Sequence, residues 1–476
     1  MGKSGRQRLL LPLLIALFAL AAMLGGHTLA SHGQFDEPTN LLFEADCSRV
    51  IENSTDVKGE QGRSRLHPLH VVTVAPVGTL LGRMVGPELA TVLITALVGA
   101  GLLYNVQRIL AQQLALPVLD RALIVTLLGA SASQVTFAMV PDTHLLSAFA
   151  LSGMASSLTP ERVERLRQPN QSQWAWFKAG GAVPVAWGML AVGMLATNLA
   201  ALVVLLYLLN PGTAWHRVWR SALWSAATLA VVLSLHVAQR KVWPPGPYKE
   251  HVLVHHKRAT ANPPEVEVAR VAGPRVNAFS PPPPSDVQPA DFSIENIGAY
   301  GRWVWATNAR FTTPVEDLPQ RLMELLPQFF WTAFFAPHFG LTPKPLSDIP
   351  GATFEPADFD YRWPGLLGIP LGMLILARLL IATRGRPQPT ARPLSLFCLA
   401  LVSGYLVIVA WYGDEAFLFS PNWVFATVLT VTSLYATTLR QQPQLQVPLR
   451  AGLACLAGLL LINSAMHVRD LFTYLL

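Results

Sequence analysis

The chain has 476 residues, of which 52% are apolar and only 13% charged. A soluble fold of this size has no core large enough for that much apolar surface, so lipid is the solvent the composition points to. The formal charge of +7 is gathered in short Lys and Arg clusters beside apolar runs, which argues against a nucleic-acid partner, and the widely spaced Cys47, Cys398 and Cys455 exclude a disulfide framework or a zinc-finger spacing.

At the start, Lys3, Arg6 and Arg8 precede an apolar run over 9–30. The run is about 20 residues, enough to cross a hydrocarbon core of roughly 30 Å, so residues 1–30 read as a first transmembrane helix with a cytoplasmic N-terminus. Residues 31–86 form an acidic outer loop. Its last part, 67–85, is apolar but broken by Pro76 and Gly78 and followed in charge by Arg83, the pattern of a helix lying at the membrane interface. Apolar runs near 87–106, 121–140, 143–158, 175–194, 196–210 and 220–237 then predict a bundle over 87–238. A long Pro-rich outer segment, 239–364, separates it from a C-terminal bundle over 365–476, with runs near 365–383, 394–412, 421–438 and 451–467.

The predicted fold class is therefore an all-α membrane protein of about eleven transmembrane helices, with interfacial helices and two large non-cytoplasmic loops. Alternating the runs places Arg108, Arg121, Arg162, Arg165, Arg167, Lys178, Arg217, Arg220, Arg384, Arg386, Arg392, Arg440 and Arg450 in short cytoplasmic loops, as expected of a multi-pass protein of the inner (plasma) membrane. The long outer segment holds about half of the chain's 38 prolines, including Pro281–Pro284, which predicts an extended first part. In its later part Leu318, Leu322, Leu325, Leu326, Phe329, Phe330 and Phe334 recur at helical spacing, predicting an amphipathic helix on the membrane surface, with Trp303, Trp305 and Trp331 as interfacial anchors.

The first outer loop concentrates Asp36, Glu37, Glu44, Asp46, Glu52, Asp56 and Glu60, together with Arg49, Arg63, Arg65, His67 and His70. General bases and phosphate-binding cations thus stand together directly after a span. A solvated acidic loop is the bland alternative. Pro141, Asp142, Thr143 and His144 form a turn between two runs with almost no loop, where an ionisable group is costly and therefore suggestive, although Asp142 could also simply cap the helix that follows. Asp414 and Glu415 offer a weaker pair in a later outer turn.

These elements resemble the GT-C superfamily of membrane glycosyltransferases: a first span, an acidic outer loop with the Asp36–Glu37 pair and the Asp46, Arg49, Val50 element, a His67-Pro68-Leu69 step into an interfacial helix, and the Pro141–His144 turn. The step departs from the His-Pro-Pro-Leu of that family. The resemblance implies sugar transfer from a polyprenyl-phosphate lipid at headgroup depth, with Asp46 as first choice for general base, Asp36, Glu37 and Asp142 as rivals, and Arg49, Arg63, Arg65 and His67 for the leaving phosphate. No cofactor is required by the sequence. Asp36, Asp46, His67 and His70 could serve a divalent metal, but their spacing matches no compact metal motif. Partners are the lipid bilayer and a polyprenyl-phosphate-linked sugar. The competing readings are a non-catalytic binding protein on the same scaffold, or a transporter or flippase, which would carry ionisable groups within its spans. The sequence is silent on oligomeric state.

Overall fold

The computed structural model describes residues 3–35, 42, 47–59, 67–169, 171–244, 318–343, 352–411 and 416–475. Helix α1 (Lys3–Ser31) is followed by α2 (Cys47–Thr55), the single turn α3 (His70–Thr73) and α4 (Ala75–Val85), all short and lying before the next long helix, α5 (Pro87–Gln112). Gly86 makes the corner between α4 and α5 at φ 91°, a backbone conformation that costs any residue with a Cβ. Gly78 lets α2 and α4 touch, since a Cβ there would overlap the Ser54 carbonyl oxygen. Ala75 and Gly78 of α4 are buried, while Val77, Leu80 and Met84 form an exposed apolar stripe, the amphipathic character read from 67–85.

Next come α6 (Val118–Gly129) and α7 (Ala132–Met139), which meet at a bend of 63°. A helix broken inside a bundle leaves backbone groups without intrahelical partners, and away from water these must be satisfied by neighbouring protein. Here the Ala132 and Ser133 N–H groups donate to the carbonyls of Phe334 and Ala333, both at 3.0 Å, from a segment some 200 residues later in sequence. The bundle continues through α8 (His144–Ser156), α9 (Pro160–Leu166), the turn α10 (Gln173–Trp176) running through a π-helical stretch into α11 (Ala182–Met194), α12 (Leu199–Leu209) and α13 (Ala214–Val242).

The chain continues as α14 (Leu318–Pro327) and a π-helical turn, Gln328–Thr332. The membrane-surface position predicted for it is corrected: Leu325, Phe329, Ala333, Phe335 and Ala336 are buried in the protein. Phe329 stacks on Trp423 with centroids 3.9 Å apart, and the Trp423 indole N–H donates to the Phe329 carbonyl at 3.2 Å. A stripe at helical spacing can face lipid or protein equally well, and the aromatic partner with a donor decides for protein. Trp303 and Trp305 lie outside the described residues. A second correction is a β-hairpin, β1 (Pro337–Pro343) and β2 (Ala352–Tyr361), antiparallel with Pro337 opposite Tyr361 and Leu341 opposite Phe354, so the chain is not wholly α. Arg362 closes the hairpin onto the bundle by donating to the Ala336 and Pro337 carbonyls and pairing with Asp470 at 2.8 Å.

The C-terminal bundle comprises α15 (Trp363–Thr383), α16 (Arg392–Trp411), the turn α17 (Ala416–Phe419), α18 (Pro421–Gln441) and α19 (Gln446–Leu475). Among the described residues seven helical segments are long and apolar enough to cross a membrane, eight if the bent α6–α7 pair is one span, so the chain is a multi-pass membrane protein. The other three predicted runs are helices of a different kind. Helix α8, with 13 residues, is about 20 Å long; Ala196–Leu209 is little longer; and α18, though 21 residues, is rich in Thr and Ser. Helices α8 and α18 are buried along most of their length, and a helix enclosed by protein needs neither full apolarity nor full length.

Candidate functional site

Side-chain contacts sort the helix ends into two sets. At one end arginines donate to carbonyls of helix termini and loops: Arg167 to Leu208 at 2.8 Å, Arg217 to Tyr207 at 2.8 Å, Arg220 to Gln171 at 3.1 Å and Arg440 to Leu114 at 2.9 Å. Cations there oppose the negative end of the helix dipole. Burial and the neighbouring Arg165 and Arg108 lower the pKa of Arg162 in this group. Asp120, fully buried, takes a bidentate pair from Arg450 at 2.6 and 2.9 Å and a hydrogen bond from the Tyr435 hydroxyl at 3.0 Å, tying α6, α18 and α19 together. The arginines among these are ones that charge alternation assigned to one side.

The opposite end is built on histidines. The His67 ring bonds through Nδ1 to the Met194 carbonyl and through Nε2 to the Thr143 hydroxyl at 3.2 Å. A neutral ring protonated on Nδ1 satisfies both, the carbonyl accepting and the hydroxyl donating. Leu69 N–H donates to the Gly193 carbonyl at 2.9 Å, His236 bonds to the Pro68 carbonyl at 3.2 Å, and Gln239 accepts from the Val72 N–H at 3.0 Å. The His-Pro-Leu step is thereby clamped between the ends of α8, α11 and α13. Asp142 accepts from the His144 N–H at 3.1 Å, the capping role weighed for it, and the His144 ring meets Asn422 at 3.2 Å and packs on Phe419. Asp142 is 2% exposed and His144 6%, so this turn is sealed inside the end of the bundle.

A cleft of about 520 Å³ is lined by Phe35 after α1, by Ser48, Ile51, Glu52 and Thr55 of α2 and Asp56 just beyond it, by Thr79, Gly82 and Arg83 of α4, and by Pro87 and Glu88 at the start of α5. Glu88 sits in the first turn of α5, where the helix dipole favours a carboxylate. Of the expected site residues, Asp36, Glu37, Asp46, Arg63 and Arg65 lie outside the described residues, as do Asp414 and Glu415. Phe35, directly before Asp36–Glu37 in sequence, and Ser48, two residues after Asp46, both line the cleft. Arg49 is partly buried on α2, where its carbonyl accepts from Asn53 at 2.8 Å. Asn53, first residue of an Asn-Ser-Thr acceptor pattern, is buried and so closed to glycosylation. His67 and Asp142 belong to the clamp and the capped turn, not to the cleft lining.

Arg83, Thr79 and Glu88 escaped the sequence reading because they come from a helix assigned to the interface and from the start of a span. The available signal was a charged residue at each side of Gly86, a corner glycine. Among the described residues no three His, Cys, Asp or Glu side chains converge to hold a metal ion. No protein-family model, curated protein or solved structure matches this chain.

Proposed function

We propose that the chain is a membrane glycosyltransferase that moves a sugar from a polyprenyl-phosphate donor to an acceptor at the outer face, at the cleft between α2, α4 and the start of α5. In this reading all eleven apolar runs cross the inner membrane and the N-terminus is cytoplasmic. One observation carries the proposal: Phe35 and Ser48, the described residues flanking Asp36, Glu37 and Asp46 in sequence, line a cleft together with Glu52, Asp56 and Glu88, next to a helix that exposes an apolar stripe. A lipid-linked sugar keeps its tail in the bilayer and its phosphate at headgroup depth, so such a cleft meets the reacting carbon where a carboxylate can take the acceptor proton. General-base assistance of this kind is worth roughly 10²–10⁴-fold. Asp46 remains the first choice for that base, with Asp36, Glu37, Glu52 and Asp56 as rivals, and Arg49, Arg63, Arg65 or Arg83 meets the leaving phosphate. Displacement without a protein nucleophile inverts the anomeric carbon.

The transporter reading gains two residues, His236 and His467, buried within long apolar helices. Each is tied to its neighbours, His236 to the Pro68 carbonyl and His467 to Thr136 at 2.9 Å, which supports a packing role for both. The test is transfer of labelled sugar from a panel of polyprenyl-phosphate donors by purified protein in liposomes. Product that falls about a hundredfold in Asp46→Asn, Asp36→Asn or Asp56→Asn supports the transferase. Absence of product with every donor overturns it in favour of binding or transport on the same scaffold.

A further inference from the structure

The arginine end of the bundle carries a group of cations that folding draws together. Arg162 and Arg165 are one turn apart on α9, and Arg108, near the end of α5, stands close to Arg162. Burial, followed by the nearby Arg165 and Arg108, lowers the Arg162 pKa. Among the described residues none of the three forms an ion pair: Arg162 donates to the Ser157 carbonyl at 3.2 Å, and Arg108 and Arg165 are exposed with no hydrogen bond to their guanidinium groups. Glu161 and Glu164, exposed on the same short helix, pair with none of them. Other arginines at this end are engaged. Arg167, Arg217, Arg220 and Arg440 donate to backbone carbonyls, and Arg450 pairs with Asp120. Keeping one side of a membrane protein positive requires only that cations lie there, not that two helices bring them together against their own repulsion.

The cluster also lies at headgroup depth. Leu97, Tyr104 and Arg108 recur at helical spacing down one side of α5, and the first two are 57% and 54% exposed, so a stripe that faces lipid ends at a guanidinium. Trp174, Trp215 and Trp219, at the same end of the bundle, are exposed as well. Amphipathic aromatic side chains of this kind mark the level where acyl chain gives way to headgroup. A phosphodiester suits guanidinium groups, whose N–H donors take its oxygens in pairs. A zwitterionic headgroup brings an ammonium toward the same cations, whereas a headgroup of net negative charge offsets their repulsion.

We propose that Arg108, Arg162 and Arg165 hold the phosphate of an anionic phospholipid from the leaflet at this end, with its acyl chains along Tyr104 and Leu97. The site stands at the end of the bundle opposite the His67 clamp, so it neither requires nor supports the transferase reading.

The experiment is native mass spectrometry of the full-length protein released from nanodiscs containing equal amounts of phosphatidylglycerol, phosphatidylethanolamine and phosphatidylcholine. Phosphatidylglycerol should be retained about tenfold over either zwitterionic lipid, which is within what three cations beside an anionic headgroup supply. The combined Arg108→Gln, Arg162→Gln, Arg165→Gln variant should lose that preference. If it fails to fold, Arg108→Gln with Arg165→Gln changes only exposed side chains and should still cut the preference about fivefold. The matched control is Arg384→Gln, Arg386→Gln, Arg392→Gln, three exposed arginines that charge alternation assigns to the same side, and it should keep the preference. The deacylated phosphatidylglycerol headgroup, added at constant ionic strength, should leave the lipid bound. Equal retention of the three lipids by the wild type, a preference unchanged in the cluster variants, an equal loss in the control, or displacement by the soluble headgroup would each overturn the assignment.

Discussion

At the scale of single residues, His67 and Asp142 show how one side chain can serve two readings. Asp142 caps the start of α8 through the His144 N–H. Asp142→Ala should therefore cost about 1 kcal/mol of stability, whereas Asp142→Asn keeps an acceptor oxygen and should unfold at nearly the wild-type temperature. A thermal melt in detergent separates the two, and sugar transfer lost in the Asn variant at unchanged stability would assign Asp142 a chemical role. His67→Ala removes both bonds of the clamped ring, to Met194 and Thr143, and leaves buried partners unsatisfied, a loss of about 2–3 kcal/mol. The measurement is the melting temperature, together with faster proteolysis of the segment between α1 and α3. A similar argument applies to the buried Asp120. Asp120→Ala strands the Arg450 charge and should cost about 3–5 kcal/mol, less where water reaches Arg450, and the double change Asp120→Ala with Arg450→Ala should recover part of it.

At the scale of elements, the contact between α2 and α4 depends on a residue without a side chain. A methyl group at Gly78 meets the Ser54 carbonyl, so Gly78→Ala should push α2 off α4 and cost about 1–3 kcal/mol, read as a lower melting temperature. The sequence reading of 67–85 as an interfacial helix rests on an apolar run broken by Pro76 and Gly78, and in the structure α4 leaves Val77, Leu80 and Met84 exposed. The same kind of spacing misplaced α14. Periodicity reports that a face is apolar but not what covers it, and Trp423, nearly a hundred residues further on, supplies the cover. The hairpin of β1 and β2 was equally illegible, since its pairing is a matter of two segments meeting across a turn and neither alternates clearly between apolar and polar residues.

At the scale of the whole molecule, the two sets of helix ends predict an accessibility pattern. With Cys47, Cys398 and Cys455 replaced by Ser, a cysteine at Lys58 should react with a membrane-impermeant maleimide in intact cells, and a cysteine at Gln168 should react only after permeabilisation. The reverse pattern would invert the orientation. Composition and apolar runs by themselves determined that the chain lives in lipid, roughly where its long helices lie, and which arginines share an end, because transfer of apolar and charged groups between water and lipid is a local property of the chain. What they left open was decided by tertiary structure. Helices α8 and α18 are short or polar because other helices surround them; α14 is drawn into the bundle to satisfy the backbone of the broken α6–α7 pair; and Arg83 and Glu88 meet Glu52 and Asp56 across a cleft only because Gly86 turns the chain back on itself. Each of these depends on which surfaces face one another, and a linear pattern carries that information only after the chain has folded.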